Sequence, residues 1–214
     1  MSKGKLAKFA ELATFSNVFE YEPPPKGRWH ADYFKNNNPI ALELACGKAE
    51  YTIELALRFP EQNFVGIDIK GARLWRGAKT ALDLNLRNVA FVRHRIELIA
   101  EIFGPDEIAE IWITFPDPYP KKSKAKKRLT SPRFLNLYRQ VLKEAGMIHL
   151  KTDDRNLFEF TRETLAEEQC IVHEIIEDLY AAPIGNQLLE IKTTYEKEYL
   201  EAGRTIRYLR FSFI

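Results

Sequence analysis

The chain has 214 residues, 45% of them hydrophobic, so it is long enough to bury the core of one large domain. Its formal net charge is +2, and its two cysteines, Cys46 and Cys170, are too few for a disulfide framework and lack the spacing of a thiolate zinc site. No apolar run approaches the ~20 residues that cross a bilayer, and the first residues lack the apolar core of a signal peptide. We therefore expect a soluble protein of a reducing cytoplasm, rather than a secreted or membrane-spanning one.

An amino-terminal arm over residues 1–38 is predicted to precede a regular succession of short apolar runs and amphipathic runs. This succession is typical of a parallel sheet flanked by helices. We expect one α/β domain over residues 39–214 with a seven-stranded, mostly parallel sheet. The predicted strands are 40–45, 63–67, 89–93, 110–115, 147–151, 170–176 and 204–213. The predicted helices are 50–58, 71–86, one from Ser131-Pro132 to Gly146, and one capped by Asp153 or Asp154.

The notable polar motifs follow the ends of predicted strands. Glu43 and Gly47 lie at the end of the first strand, Asp68 closes the second, Asp117 follows the fourth, and Thr152-Asp-Asp154 follows the fifth. Open α/β sheets bind their ligands at the carboxyl ends of parallel strands. The sequence therefore predicts one ligand pocket at this edge of the sheet.

The segment from Glu43 to Glu50 is a strand-to-helix turn of small residues, which let a ligand lie against the backbone. Asp68 lies about 20 residues farther on, where a carboxylate accepts hydrogen bonds from ribose hydroxyls; the alternative is that it caps a helix. The turn lacks the glycines that bind a pyrophosphate, and the acidic Glu43 disfavours phosphate but suits an ammonium and a sulfonium. S-adenosylmethionine is therefore the predicted cofactor.

Residues 113–128 join an apolar strand to a proline-stiffened acidic turn and then to a dense run of lysines ending at Arg128. Such a run predicts a surface that binds RNA phosphates without reading sequence, beside Asp117. The alternative is an ordinary solvated loop.

These motifs resemble those of the bacterial tRNA (guanine-N7-)-methyltransferase family, a branch of the class I S-adenosylmethionine-dependent methyltransferases. The resemblance covers residues 40–210, with the motifs in matching order. It implies a Rossmann-like class I fold and methylation of guanosine N7 in the variable loop of tRNA. The motifs that carry it are Phe115-Pro-Asp-Pro-Tyr-Pro-Lys-Lys122 with the basic run after it, Leu150-Lys-Thr-Asp-Asp154, Thr194-Tyr-Glu196, and Gly203 with Ile206.

The resemblance also implies the residues of the site. The cofactor would contact Glu43, Asp68 and Asp117, together with Gly47 of the turn. In place of the family's usual Asp-Ala pair near the adenine, this chain has Arg95-Ile96, so we expect a backbone contact at Ile96. Two further departures are Tyr119 in place of a tryptophan, and Ala45 and Ala49 in place of glycines. The implied substrate-binding residues are Lys121, Asp153, Thr193, Thr194, Tyr195 and Glu196.

Guanine N7 has a lone pair and no proton, so its methylation requires alignment rather than a general base. A nearby carboxylate stabilises the positive charge that develops on the base, and it also accepts hydrogen bonds from guanine N1–H and N2–H₂. Asp117, as the catalytic residue, and Asp153 are the candidates. The alternatives are that Asp117 only organises its turn and that Asp153 only caps a helix.

Two other functions fit the same sequence. One is N-methylation of another nucleobase or a small amine, since Phe115-Pro-Asp-Pro-Tyr119 resembles the Asn/Asp-Pro-Pro-Tyr motif of amino-methyltransferases. The other is RNA binding without catalysis by a protein of the same fold. The four histidines have no metal-ligand spacing, so no metal site is predicted. Whether the chain is a monomer or a homodimer stays open.

Overall fold

The computed structural model describes residues 3–20 and 23–214, which form a single eight-stranded sheet with helices on both faces. The strands are β1 (Val18–Phe19), β2 (Ile40–Leu44), β3 (Asn63–Ile67), β4 (Val89–Val92), β5 (Ile108–Thr114), β6 (Leu142–Thr152), β7 (Ile171–Ile176) and β8 (Arg207–Ser212). The helices are α1 (Lys3–Leu12), α2 (Glu50–Arg58), α3 (Gly71–Asp83), α4 (Ile99–Ile102), α5 (Pro132–Tyr138), α6 (Arg155–Glu167) and α7 (Thr194–Glu201). None of the helices in these described residues is long and apolar enough to cross a membrane.

The strand order is β1-β4-β3-β2-β5-β6-β8-β7; β8 pairs antiparallel with both β6 and β7, and the other pairings among the described strands are parallel. The prediction of a mostly parallel α/β sheet is confirmed, whereas the strand number of seven is wrong. The additional strand is β1, whose two residues pair with Phe91 and Val92 of β4. A strand this short leaves no apolar run in the sequence that would predict it.

Alternation along the strands builds a separate core on each face of the sheet. In β2, Ile40, Leu42 and Leu44 point into one core, which is completed by α4, α5 and α6. Ala41 points into the other core, which α1, α2 and α3 cover. Glu43 shares that second face and is therefore a carboxylate enclosed by the fold.

The amino-terminal segment is built into the domain instead of projecting from it. Helix α1 packs on α3, and the fully buried Trp29 donates from Nε1 to the carbonyl of Ile102 at 3.0 Å. The Glu107 carboxylate accepts from the backbone N–H groups of Gly27 and Trp29. Within the described residues before 39, β1 thus extends the sheet, Trp29 and Phe34 fill one core and Leu12 lies in the other, which the sequence did not predict.

Helix α5 is shorter than predicted. It ends at Tyr138 instead of Gly146, because Leu142 pairs with Ile108 and begins β6. The register then shifts, so that Glu110 pairs with Met147, and Ala145 in this interval takes a left-handed φ of 57°. The apolar spacing from 134 to 142 suits a helix, but pairing with β5 overrides it.

Of the two predicted helix caps, one is present in the structure and the other is not. Asp154 caps α6 by accepting from the Leu157 N–H at 2.7 Å, which selects it over Asp153. Ser131 lies at the N-cap position of α5, but its hydroxyl donates to the Lys126 carbonyl at 3.3 Å and makes no side-chain cap.

Candidate active site

The turn between β2 and α2 is held in an unusual backbone conformation. Ala45, Gly47 and Ala49 all have positive φ, between 56° and 59°. A residue with a Cβ loses about 1 kcal/mol or more in this region, so the two alanines store strain that the surrounding packing must hold. Gly77 of α3 allows that packing, since a Cβ there would lie 2.6 Å from the Cβ of Ala49. The turn is therefore rigid, and its small side chains leave its backbone open to a ligand.

Glu43 lies beneath this turn and is only 4% exposed. Its carboxylate accepts hydrogen bonds from the Thr52 N–H at 3.0 Å, from the Thr52 hydroxyl, and from the Thr114 hydroxyl at 2.7 Å. Burial raises the pKa of Glu43 to about 7, although the threonine hydrogen bonds oppose the shift. No cation lies within 4 Å of this carboxylate among the described residues. Glu43 is thus a buried acid that lacks a positive partner.

Asp68 ties the ends of two strands together. Its Oδ2 accepts from the Gly47 N–H at 2.9 Å, and its Oδ1 accepts from the Lys70 N–H at 2.7 Å. Two hydrogen bonds leave further lone pairs on a carboxylate that can accept from hydroxyl groups. Asp68 also lines a cavity of about 600 Å³, together with Ile96 and Asp117. This volume is in the usual range for pockets that bind small molecules and cofactors.

The proline-rich loop after β5 forms another wall of the same cavity. Phe115 and Tyr119 have positive φ values of 49° and 43°, and the exposed Asp117 lies between them. Arg128, which is buried, donates to the carbonyls of Pro118 and Tyr119 at 3.0 and 3.1 Å. Its guanidinium also lies 4.3 Å from the ring centre of Phe160. Arg128 thus fixes the backbone that carries Asp117.

A smaller cleft of about 80 Å³ adjoins the cavity and shares Ala45, Arg73 and Phe115 with it. Glu43 and Gly47 line this cleft on one side, and Thr193 and Tyr195 line it on the other. Acidic groups at the ends of β2 and β3 and in the loop after β5 therefore reach one connected space at the carboxyl edge of the sheet, whose lining also includes Arg73, Arg95 and Arg133. Such a space suits a positively charged ligand with hydroxyl groups.

Comparison with known proteins identifies the family. A family model described as "Putative methyltransferase" (Methyltransf_4) matches residues 37–209. The tRNA (guanine-N(7)-)-methyltransferase of Bacteroides fragilis is 47% identical over 99% of this chain and 86% of its own length. That of Porphyromonas gingivalis is 50% identical over 94% of this chain and 86% of its own length. The chain belongs to the tRNA (guanine-N7-)-methyltransferase family.

The fold of this family member is shared with more distant methyltransferases. The solved 16S rRNA (adenine(1408)-N(1))-methyltransferase from Catenulisporales acidiphilia, described with its cosubstrate SAM, matches with a TM-score of 0.59. It is 17% identical, and the match covers 86% of this chain and 89% of that one. At that identity the likeness shows the fold alone, and it agrees with the predicted class I methyltransferase architecture.

All five residues predicted for the cofactor and two of the six predicted for the substrate lie together in this family member. Asp68, Ile96 and Asp117 line the larger cavity. Four others line the adjoining cleft: Glu43, Gly47, Thr193 and Tyr195. The topological rule that predicted a pocket at the carboxyl edge therefore places seven predicted side chains or turns around one space.

The other four predicted residues line neither the cavity nor the cleft. Lys121 is exposed at the start of a short 3₁₀ helix, Lys122–Lys127. Asp153 pairs with Arg204 at 2.6 Å, and Thr194 donates to the carboxylate of Glu50. Glu196 is fully buried, lies 2.7 Å from the Lys151 ammonium and accepts from the Tyr180 hydroxyl. In this structure Glu196 anchors α7 and does not face the pocket.

Several residues of the site were not predicted. Thr52 and Thr114 hold the Glu43 carboxylate, and Arg128 was grouped with the phosphate-binding cations although it points inward. Thr114 had a signal in the sequence, since it is the last residue of the strand next to the one that carries Glu43. Arg128 had no such signal in the sequence, because the loop carbonyls that it binds come close to it only when the loop folds back.

Proposed function

We propose that this protein transfers a methyl group from S-adenosylmethionine to N7 of a guanosine in the variable loop of tRNA. The observation that carries the proposal is the buried carboxylate of Glu43, which has hydroxyl and amide partners but no cation, next to a cavity that Asp68 and Asp117 line. The names of the two relatives describe methyl transfer to guanine N7 of tRNA in those proteins.

The residues present fit this cofactor. When bound, S-adenosylmethionine supplies a methyl group activated by a sulfonium. Glu43 would hold the positive end of the ligand, since a buried carboxylate gains most from a charged donor. Asp68 would accept from the ribose hydroxyls with its remaining lone pairs. Ile96 lines the cavity and would offer the adenine an apolar wall and a backbone N–H.

Asp117 is the residue best placed to act on the guanine. It is exposed at the wall of the cavity and flanked by prolines, and Arg128 fixes its loop through the carbonyls of Pro118 and Tyr119. Because N7 carries no proton, this carboxylate has to align the base and stabilise its growing positive charge rather than remove a proton. Tyr119 stays protonated at neutral pH, because burial and the Asp117 charge raise the pKa of its hydroxyl.

The substrate side of the cavity is cationic. Lys127 and Arg133 line it, and the exposed Lys122, Lys124 and Lys126 belong to the same 3₁₀ helix as Lys127. These side chains suit RNA phosphates, whose binding weakens steeply with added salt. We place the reaction in the cytoplasm, since neither Cys46 nor Cys170 is in a disulfide.

The test is to incubate the protein with bulk tRNA and a methyl-labelled cofactor, digest the RNA to nucleosides, and identify the labelled product. We expect 7-methylguanosine. Label on an exocyclic amine or another base would support the alternative methyltransferase, and no transfer together with intact tRNA binding would support a non-catalytic RNA-binding protein.

The role of Asp117 is tested by Asp117→Ala, with Asp83→Ala as the matched control, because Asp83 makes only a surface pair with Lys79. We expect turnover to fall by about 100-fold or more in Asp117→Ala, the usual cost of losing a group that stabilises a transition state. The affinity for tRNA should stay nearly unchanged. Turnover within a few-fold of the Asp83→Ala control would contradict this role.

A further inference from the structure

A second cationic surface lies across the amino end of α2 from the main cavity. It is a groove of about 460 Å³ between α2, α3 and the start of α7. Its cations are Lys48, Arg76, Lys192 and Lys197, all of them exposed. We call it the α2–α3–α7 groove.

The charges in this groove are not balanced from within. Four cations face two carboxylates, so the groove carries an excess of positive charge. Glu54 also pairs with Arg58 at 3.6 Å, and Glu50 accepts from the N–H and hydroxyl of Thr194. In the described part of the chain, none of the four cations has a carboxylate oxygen within 4 Å. Four exposed cations without acidic partners favour a polyanion, because each phosphate that they neutralise releases condensed counterions.

The groove is continuous with the candidate active site. It shares Lys48 and Glu50 with the cleft beside Gly47, and that cleft shares Arg73 and Phe115 with the main cavity. The lysine-rich 3₁₀ helix reaches the cavity at Lys127, on a different wall. Two cationic surfaces therefore approach the site from different sides, as needed for a nucleic-acid strand that crosses it.

The backbone of the groove is firmly held. Thr194 ties α7 to α2 through Glu50, and Gly77 lets α3 pack directly on the turn that carries Lys48. The four cations are thus presented from three elements whose positions are fixed before a partner binds. Preorganised cations lose less conformational freedom on binding than a mobile tail does.

We propose that the α2–α3–α7 groove binds backbone phosphates of the same tRNA whose guanosine enters the cavity. This inference rests on the proposed function, because it takes tRNA as the substrate. It adds a contact surface that the lysine-rich loop does not provide. The contact is to phosphates, so it adds affinity and orientation without reading bases.

The test variant is Arg76→Gln/Lys192→Gln/Lys197→Gln, which leaves Lys48 of the cofactor turn in place. The matched control is Lys26→Gln/Arg87→Gln/Lys143→Gln, which removes the same number of lysines and arginines. Arg87 and Lys143 lie near the amino ends of β4 and β6, and Lys26 precedes Gly27, which is bound to Glu107. All three control residues are exposed, and they have no ion pair within the residues that the structure describes.

The measurement is the dissociation constant for a tRNA transcript at several salt concentrations. We expect the groove variant to bind about 10- to 100-fold more weakly at 0.1 M salt, and its log–log salt slope to fall by about 2, since each phosphate contact contributes about 0.7–0.9. The control should follow the wild-type protein in both quantities. Thermal unfolding and cofactor titration check that the groove variant is folded.

An affinity and salt slope equal to those of the control would overturn the groove proposal, provided that the wild-type protein methylates tRNA. The proposed function would then still stand. If the wild-type protein transfers no methyl group to tRNA, the proposed function fails first, so the two failures are distinguishable. Should the triple variant not fold, Lys192→Glu alone gives the same test, and an unchanged affinity in it would likewise overturn the proposal.

Discussion

Two buried carboxylates in this protein have opposite surroundings. Glu196, beneath α7, faces the ammonium of Lys151 at 2.7 Å and accepts from the Tyr180 hydroxyl at 2.7 Å. Glu43, beneath the turn after β2, faces only the hydroxyl and amide groups of Thr52 and Thr114. Glu196 is compensated by a cation of the protein itself, whereas Glu43 has none within 4 Å among the residues that the structure describes. We propose that this difference separates a residue that builds the site from a residue that binds the cofactor.

The ion pair of Lys151 with Glu196 has a positioning role. The ammonium of Lys151 also donates to the carbonyls of Leu189 and Ile191, at 3.3 and 3.1 Å. It thereby holds the segment that leads to Thr193 and Tyr195 at the cleft. Burial lowers the pKa of Lys151, and the facing Glu196 carboxylate opposes that shift because it favours the charged ammonium.

The largest expected effect comes from breaking this pair. Lys151→Met leaves the Glu196 carboxylate buried without a cation, so we expect the free energy of unfolding to fall by about 3–5 kcal/mol. Urea denaturation measures it. Lys151→Met/Glu196→Gln should recover much of the loss, because no charge then stays buried and the amide still bonds Tyr180. If Lys151→Met lowers the free energy of unfolding by less than about 1 kcal/mol, the contrast between Glu196 and Glu43 is contradicted.

A substitution at Glu43 is expected to change the free energy of unfolding by a smaller amount, and to raise it. Its pKa is raised from 4.5 to about 7, so the folded protein holds a proton that the unfolded chain releases. The stability from this proton is full below pH 4.5 and is lost as the pH rises through 7. Glu43→Gln avoids that loss, and it should be more stable than wild type by up to about 3 kcal/mol at pH 8 but not at pH 4.5. A difference in unfolding free energy that does not change with pH would contradict this account.

The smallest effect on stability is expected at Arg128. Its buried guanidinium donates hydrogen bonds to backbone carbonyls rather than to a carboxylate. Arg128→Lys loses one of the two hydrogen bonds to the Asp117 loop, for about 1–2 kcal/mol. Arg139→Lys is the matched control, since Arg139 similarly lies over Phe213 and donates to the Glu168 carbonyl. We expect methyl transfer to fall only in Arg128→Lys. Equal turnover in the two variants would show that the hydrogen bonds from Arg128 to the loop do not position Asp117.

The sequence predicts the part of the site that depends on local rules. Apolar runs identify β2, β3 and β5, and the polar residues at their carboxyl ends meet because parallel strands end at the same edge. Glu43, Asp68 and Asp117 could therefore be expected to share one space. The two-residue β1 and the early end of α5 depend on pairing with β4 and β5, which no local pattern reports.

The rest of the site depends on which residues become partners in three dimensions. Glu43 and Glu196 look alike in the sequence, as single acids beside a motif. Only the folded chain places Lys151 against Glu196 and Arg204 against Asp153, while it leaves Glu43 among hydroxyl groups. A carboxylate's role is decided by its nearest cation, and in these pairs that cation lies more than forty residues away.

Calorimetric titration with S-adenosylmethionine at pH 6.0 and pH 7.5 tests the central claim most directly. If the ionised form of Glu43 holds the positive end of the cofactor, binding must compete with a proton whose pKa is about 7. The wild-type affinity should then be about 5- to 10-fold weaker at pH 6.0, while Glu43→Gln should bind more weakly at both values and show no such dependence. Binding by wild type that is equal or tighter at pH 6.0, or no binding at either pH, would contradict the account.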